Sequence, residues 1–148
     1  MIRWLFAALA VAVAALCGAA LWLRLTPVSV DTYHRMGTEQ HAEGDWRDSE
    51  GFEAVRQVPA PRATLQELVK IAGASAGTTL LEGTAEEGLV TFVTRSPLLG
   101  LPEITNLWIE GNRIHLRGHA AVLDFGLGVE ASRAEDRVRQ WMSRAGLQ

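Results

Sequence analysis

Three sets of side chains in this sequence have the types needed for chemistry. The first is Ser96, with His115 or His119, and Asp124. These supply a hydroxyl nucleophile, an imidazole base and a carboxylate. Ser96 is preceded by Arg95 and followed by Pro97, so there is no nucleophile elbow, and a triad is defined by geometry rather than by sequence position. The ordinary roles are a strand end for Ser96-Pro97 and a backbone-bonding turn residue for Asp124. Catalysis is kept as the alternative reading: a hydrolase-like envelope enzyme acting on an anionic or lipid-derived substrate. It is centred on Asp124 with His119 or Ser96, and those groups must converge in one pocket.

The second set is the histidines and glycines that suggest a metal or a nucleotide. His115 and His119 share one strand face but lie four residues apart, about 13 Å at strand rise. One ion with bonds near 2 Å does not bridge that gap. His34 and His41 fall in a region of no clear periodicity. Gly126-Leu127-Gly128-Val129-Glu130-Ala131 matches a dinucleotide fingerprint. That fingerprint needs a parallel β-α-β unit and an acidic residue about 20 positions on. Only one helix follows here, so the glycines are read as a turn. No metal and no cofactor are expected.

The third set lies on a hairpin. Gly111-Asn112 is a two-residue turn signal between two alternating runs. Its register pairs Glu110 with Arg113, Ile109 with Ile114, Trp108 with His115, Leu107 with Leu116, and Asn106 with Arg117. Period-two alternation puts Leu107, Ile109, Ile114 and Leu116 on an apolar face. The other face carries Asn106, Trp108, Glu110, Arg113, His115 and Arg117. Trp108 flanked by Arg113, His115 and Arg117 suits an anionic small molecule or a partner protein of the envelope. Arg95 extends this face if its strand is adjacent, and loop 96–103 offers a second surface. The plainer reading is a solvated sheet face, with Glu110–Arg113 worth about 0–1 kcal/mol. An exposed tryptophan fits that reading less well than the charges do. The candidate binding residues are Arg95, Ser96, Trp108, Arg113, His115, Arg117 and Asp124.

These residues need elements to position them. Residues 52–58 read as a first strand closed by Pro59-Ala60-Pro61. Thr64-Leu65-Gln66-Glu67 reads as a capping box. The helix it opens carries Leu65, Leu68, Val69 and Ala72 on one face and ends at Gly73 or Gly77. Residues 78–84 and 89–96 read as strands around Glu86-Glu87-Gly88. Ser132-Arg133-Ala134-Glu135 reads as a second capping box. Val138, Trp141, Met142 and Ala145 follow as an apolar stripe, with Arg133, Arg137, Gln140 and Arg144 on the wet face and Gly146 as the C-cap. The order β-α-β-β-β-β-α predicts an α+β fold, a two-layer domain with an antiparallel sheet and two helices on one face.

Ahead of this domain, residues 4–23 contain no charge. Twenty helical residues cover about 30 Å, the thickness of a bilayer's hydrocarbon core. Trp4 and Trp22 sit at its ends and Arg3 and Arg24 flank it, as for a single-span anchor. A cleaved signal peptide is the second reading, with Gly18 and Ala20 at cleavage spacing, but Leu21-Trp22-Leu23 continues the apolar run. A lipoprotein signal at Cys17, the one cysteine, is discounted because Leu16 stands where a small residue is needed. A short N-terminal tail before one span usually starts inside, which places the C-terminal domain outside the cytoplasm, in the periplasm of a Gram-negative host. The absence of cysteine beyond Cys17 neither requires nor excludes an oxidising compartment.

The expected organisation is an anchor over 1–25, an acidic spacer over 26–51 and the α+β domain over 52–148. Seven acidic residues and two arginines lie between Asp31 and Glu53. That stretch is read as a solvated spacer, or one ordered against the domain by Tyr33 and Trp46. Setting aside Arg3 and Arg24, 12 basic residues remain against 17 acidic, a net of −5. A negative domain without a basic stripe excludes nucleic acid as a partner.

Arg95-Ser96-Pro97-Leu98-Leu99-Gly100-Leu101-Pro102-Glu103 resembles the Arg-Ser-x-x-x-Gly-x-Pro-acidic signature of the bacterial and plastid family called domain of unknown function 1499. Asp124-Phe125-Gly126 resembles that family's Ser-Asp-x-Gly segment. The similarity covers roughly residues 52–145. Gly118-His119-Ala120-Ala121-Val122-Leu123 departs from the family's Ser- and Arg-rich stretch, and Gly128 stands where an Asn is usual. The resemblance implies a divergent member and an envelope or membrane-associated domain, and it supplies no reaction.

Overall fold

A computed structural model of the chain describes residues 2–49, 51–121 and 129–147. The apolar N-terminal run forms helix α1 (Ile2–Leu25), 24 residues with only one basic residue in its last turn, Arg24. It is long and apolar enough to cross a membrane, with a mean hydropathy of 2.3, and none of it is buried against the rest of the chain. A one-turn helix α2 (Val30–Tyr33) follows, its N-terminus capped by the Ser29 hydroxyl, which accepts from the Thr32 amide.

The domain is α+β, as the alternation and capping signals predict. Strands β1 (Gly44–Arg47) and β2 (Gly51–Gln57) precede helix α3 (Pro61–Gly73). Strands β3 (Thr78–Thr84), β4 (Leu89–Arg95), β5 (Pro102–Glu110) and β6 (Arg113–Ala120) then lead to helix α4 (Val129–Arg144). All pairings are antiparallel, in the order β1-β2-β6-β5-β4-β3. The β5–β6 hairpin has the register that its two-residue turn dictates, with Trp108 opposite His115 and Ile109 opposite Ile114.

Helices α3 and α4 lie on one face of the sheet. Leu65, Leu68 and Ala72 of α3 and Val138, Trp141 and Met142 of α4 bury against Phe52, Phe92, Leu107, Ile114 and Leu116. Each large side chain removed from water there contributes about 1.5–3 kcal/mol. Trp141 meets Phe92 edge-on at 6.0 Å, and its indole N–H donates to the Ser75 hydroxyl at 2.9 Å. Gly118 lets α4 close on β6, since a Cβ there would stand 2.9 Å from that of Ala134. The end of α4 is a Schellman motif: Gly146 at φ 72° donates to Ser143 and Leu147 donates to Met142.

Three expectations need correction. α3 starts at Pro61, not at Thr64; the fixed φ and missing N–H of proline suit the first helical position. The Thr64 hydroxyl accordingly donates back to Ala60 inside the helix. α4 likewise starts before Ser132, whose hydroxyl accepts from Arg47 of β1 at 2.8 Å. Glu135 pairs with Arg47 and Arg139 rather than capping. The third concerns the solvated reading of residues 26–51; the contacts of Tyr33 and Trp46 fit the alternative, a stretch ordered against the domain. The stretch contains α2 and the edge strand β1, and residues 26–43, the strap, cross the sheet face opposite the helices.

Candidate functional site

The hairpin's polar face is assembled as predicted but is not open. Trp108 is 3% exposed and His115 1%. The expectation of an exposed Trp108 is therefore overturned, and the cause is the strap. Gly37 lies against the Trp108 ring, where an added Cβ would meet ring carbons at 3.0 and 3.2 Å. The Asn106 amide donates to the Tyr33 carbonyl at 2.7 Å and to the Thr91 hydroxyl at 2.9 Å. The Tyr33 hydroxyl donates to the Ala121 carbonyl at 2.6 Å, and His34 shares a hydrogen bond with Thr91 at 2.9 Å.

Under the strap, Glu53 of β2 is the hub. Its Oε1 bonds His115 Nδ1 at 2.9 Å, while Oε2 lies 3.4 Å from both Arg117 and His41. Trp108 stacks on His115 at 4.6 Å and 16°; Trp46 stacks on His41 at 4.7 Å and 7°. His115 Nε2 approaches Glu110 at 3.3 Å but without hydrogen-bond alignment. Burial pushes the Glu53 carboxyl up. The His115 hydrogen bond and the charges of His115, His41 and Arg117 outweigh that push and hold it below the usual carboxylate range. Arg113 sits at the rim, 3.7 Å from Glu110 and donating to the His41 carbonyl.

Beside this hub the strap leaves a polar cavity of about 360 Å³ against the sheet, lined by Arg35, Thr38, Glu39, Asp48, Asn106, Arg117 and His119. His119 Nδ1 is buried with no hydrogen-bond partner among the described residues. Burial, then the charges of Arg117 and Arg35, lower the His119 pKa to about 4, so the ring is neutral at pH 7. Asp48 pairs with Arg117 at 2.9 Å and Glu39 with His41 at 3.0 Å. Arg35 has no ion pair among the described residues.

Arg95 and Ser96 go elsewhere. Arg95 donates to the carbonyls of Leu23 at 2.7 Å, Thr26 at 2.8 Å and Gly100 at 3.2 Å, gripping the last turn of α1. Ser96 closes the 96–101 loop, its hydroxyl accepting from the Leu101 amide at 3.0 Å. It also lines a cavity of about 260 Å³ with Glu103, Arg133 and Arg137, on the helix-covered side of the sheet. There Arg137 bonds Glu103 at 2.6 Å, yet burial still holds the Glu103 carboxyl above its ordinary range. Ser96 and His119 thus serve opposite faces, and Asp124 lies outside the described residues, as do the glycines of the 126–128 turn. The convergence a hydrolase needs is not formed by Ser96 and His119. Among the described residues no group of three His, Cys, Asp or Glu is placed to hold a metal.

Sequence reasoning missed Glu53, Arg35 and Asp48 as members of the site. Glu53 carried a signal: it is the one acidic residue in an otherwise apolar strand start, Phe52-Glu53-Ala54-Val55. Arg35 carried none, because only the folded strap brings it over β6. No family model, no curated protein and no solved structure matches this chain.

Proposed function

We propose that this is a single-pass membrane protein, held by α1 with its domain outside the cytoplasm. The domain is a non-catalytic binding module for a small anionic ligand seated between the strap and the sheet. One observation carries the reading: a polar cavity of ligand size in which Arg35 has no ion pair among the described residues and a neutral His119 offers a ring nitrogen. A cation with no ion pair among the described residues, beside a buried imidazole, suits a carboxylate or phosphate. The covered Trp108 favours a small molecule over a partner protein, because no protein surface reaches that ring. Placement in the domain of unknown function 1499 family is part of the same proposal and rests on the Arg95 to Glu103 signature. The extracytoplasmic side rests on the short tail before α1.

The test is thermal unfolding of the full chain in detergent with inorganic phosphate or a short dicarboxylate, against chloride at matched ionic strength. A saturable rise in Tm that Arg35→Gln abolishes is expected. Arg35 is exposed and has no ion pair among the described residues, so the substitution should leave the fold intact. An equal response of wild type and Arg35→Gln to every anion would sink the assignment.

A further inference from the structure

We propose that loop 96–101 is a second membrane contact, with Leu98 and Leu99 entering the interfacial layer of the leaflet from which α1 emerges. The inference rests on the single-pass reading of α1. Its observations are separate from those of the anion cavity.

The loop is a closed, rigid tip. Ser96 N–H donates to Leu101 O, Gly100 N–H donates to Ser96 O, and the Ser96 hydroxyl accepts from Leu101 N–H, each at 3.0 Å. Gly100, at φ 70°, supplies the left-handed turn. Pro97, Leu98 and Leu99 are left at the apex, all exposed. Leu98 is 85% exposed and Leu99 42%.

Two exposed leucines alone are ordinary surface; their position is not. The Arg24 guanidinium donates to the Pro97 carbonyl and to the Leu98 carbonyl, the latter at 3.3 Å. Arg95 reaches the other way, from the base of the loop to the Leu23 and Thr26 carbonyls. The Arg24 side chain also packs where a Cβ on Gly100 would stand. The apex is therefore pinned at the level of Arg24, two residues beyond Trp22, about 3 Å along the helix axis. Trp22 is 67% exposed and marks the headgroup level of α1. A bilayer crossed by α1 thus meets Leu98 and Leu99 at its surface. The loop itself carries no charge. The two arginines beside it use only some of their donors on carbonyls, and guanidinium groups belong among lipid phosphates. The expected occupant of this surface is lipid.

The experiment uses the full chain in vesicles of phosphatidylcholine and phosphatidylglycerol in equal parts. A polarity-sensitive fluorophore is placed on native Cys17, or, in a Cys17→Ser background, on Leu98→Cys or Asn112→Cys. Position 112 is the hairpin tip, at the far end of the nine-residue β5 from the loop, about 30 Å away. Emission is compared with and without lipid carrying a nitroxide near its glycerol end. Blue-shifted emission and loss of intensity at 98, with neither at 112, are expected when Cys17 is also quenched. If Cys17 is quenched while 98 behaves like 112, whether both in water or both in lipid, the loop contact is overturned and the single-pass reading survives. A blue shift at 98 without nitroxide quenching means a protein occupant and also overturns it. If Cys17 itself is not quenched, the single-pass reading and the loop contact fall together.

Discussion

The two faces of the sheet each bury a tryptophan, and the chemistry around the two rings differs. Trp141, on α4, shares the core beneath the helices with Phe92, Leu65, Leu68 and Leu116 and has one polar bond, to Ser75. Trp108 sits among Glu53, His115, Asn106 and Thr91 under the strap, at comparable burial. The helix side is held by removal of apolar surface from water, which has no proton to lose. The strap side is held by hydrogen bonds, neutral ones from Tyr33, His34 and Asn106 and charge-assisted ones at Glu53. Burial alone therefore does not say how a face is held, and the two faces respond to different perturbations.

The largest effect tests whether both faces are equally closed. Trp141→Ala and Trp108→Ala should each cost about 3–5 kcal/mol, the range for truncating a buried aromatic. Urea unfolding of the full chain in detergent measures both. If Trp108→Ala costs less than about 1 kcal/mol, the strap does not seal its face and the comparison breaks.

Acid should act on the strap side. Unfolded His119 takes up a proton near pH 6.5, whereas folded His119 does so only near pH 4. Between those values acid favours the unfolded chain, and the loss levels off below pH 4. The window amounts to about 3–4 kcal/mol. Glu53 then adds its own loss: its lowered pKa stabilises the fold above the ordinary carboxylate pKa, and that share disappears as pH falls through the folded value. Between pH 7 and pH 5, above the range where Glu53 contributes, the fall in stability should disappear in His119→Asn. An unchanged slope in that variant would remove His119 as its source.

The smallest effect sharpens the comparison. Tyr33→Phe deletes the hydrogen bond to the Ala121 carbonyl and should cost about 1 kcal/mol. Hydrogen exchange should rise in the strap first, with α3 and α4 unchanged. Equal acceleration of α4 would mean that the two faces open as one unit.

How much of this was legible in the sequence follows the same division. The hairpin register came from Gly111-Asn112 and the core face of α4 from Val138, Trp141 and Met142, because both are fixed within a few residues by turn chemistry or helical period. The polarity of the Trp108 face was legible for the same reason. Its cover was not. The strap has neither period two nor period 3.6, and Tyr33 and His34 find partners 57 to 88 residues away. The acidic composition of that stretch reads as solvated until Glu53, Asp48 and Glu39 are seen beside Arg117 and His41. The two capping boxes were misleading because Pro61 and the residues before Ser132 start the helices earlier. On the sequence alone Arg95 extends the hairpin face if its strand is adjacent; β4 is adjacent, but the side chain reaches a helix end 69 to 72 residues upstream.

The strap also has an order in time. It precedes in the chain almost everything it touches, with Asn106 lying 73 residues after Tyr33. At ribosomal speed that separation is about 4 to 15 s. During this interval the strap is made but has no surface to seat on. Its acidic residues keep it hydrated while β4, β5 and β6 are still to come. The N-terminal cover of this domain is thus synthesised early and docks late, closing over Trp108 only after the hairpin has paired.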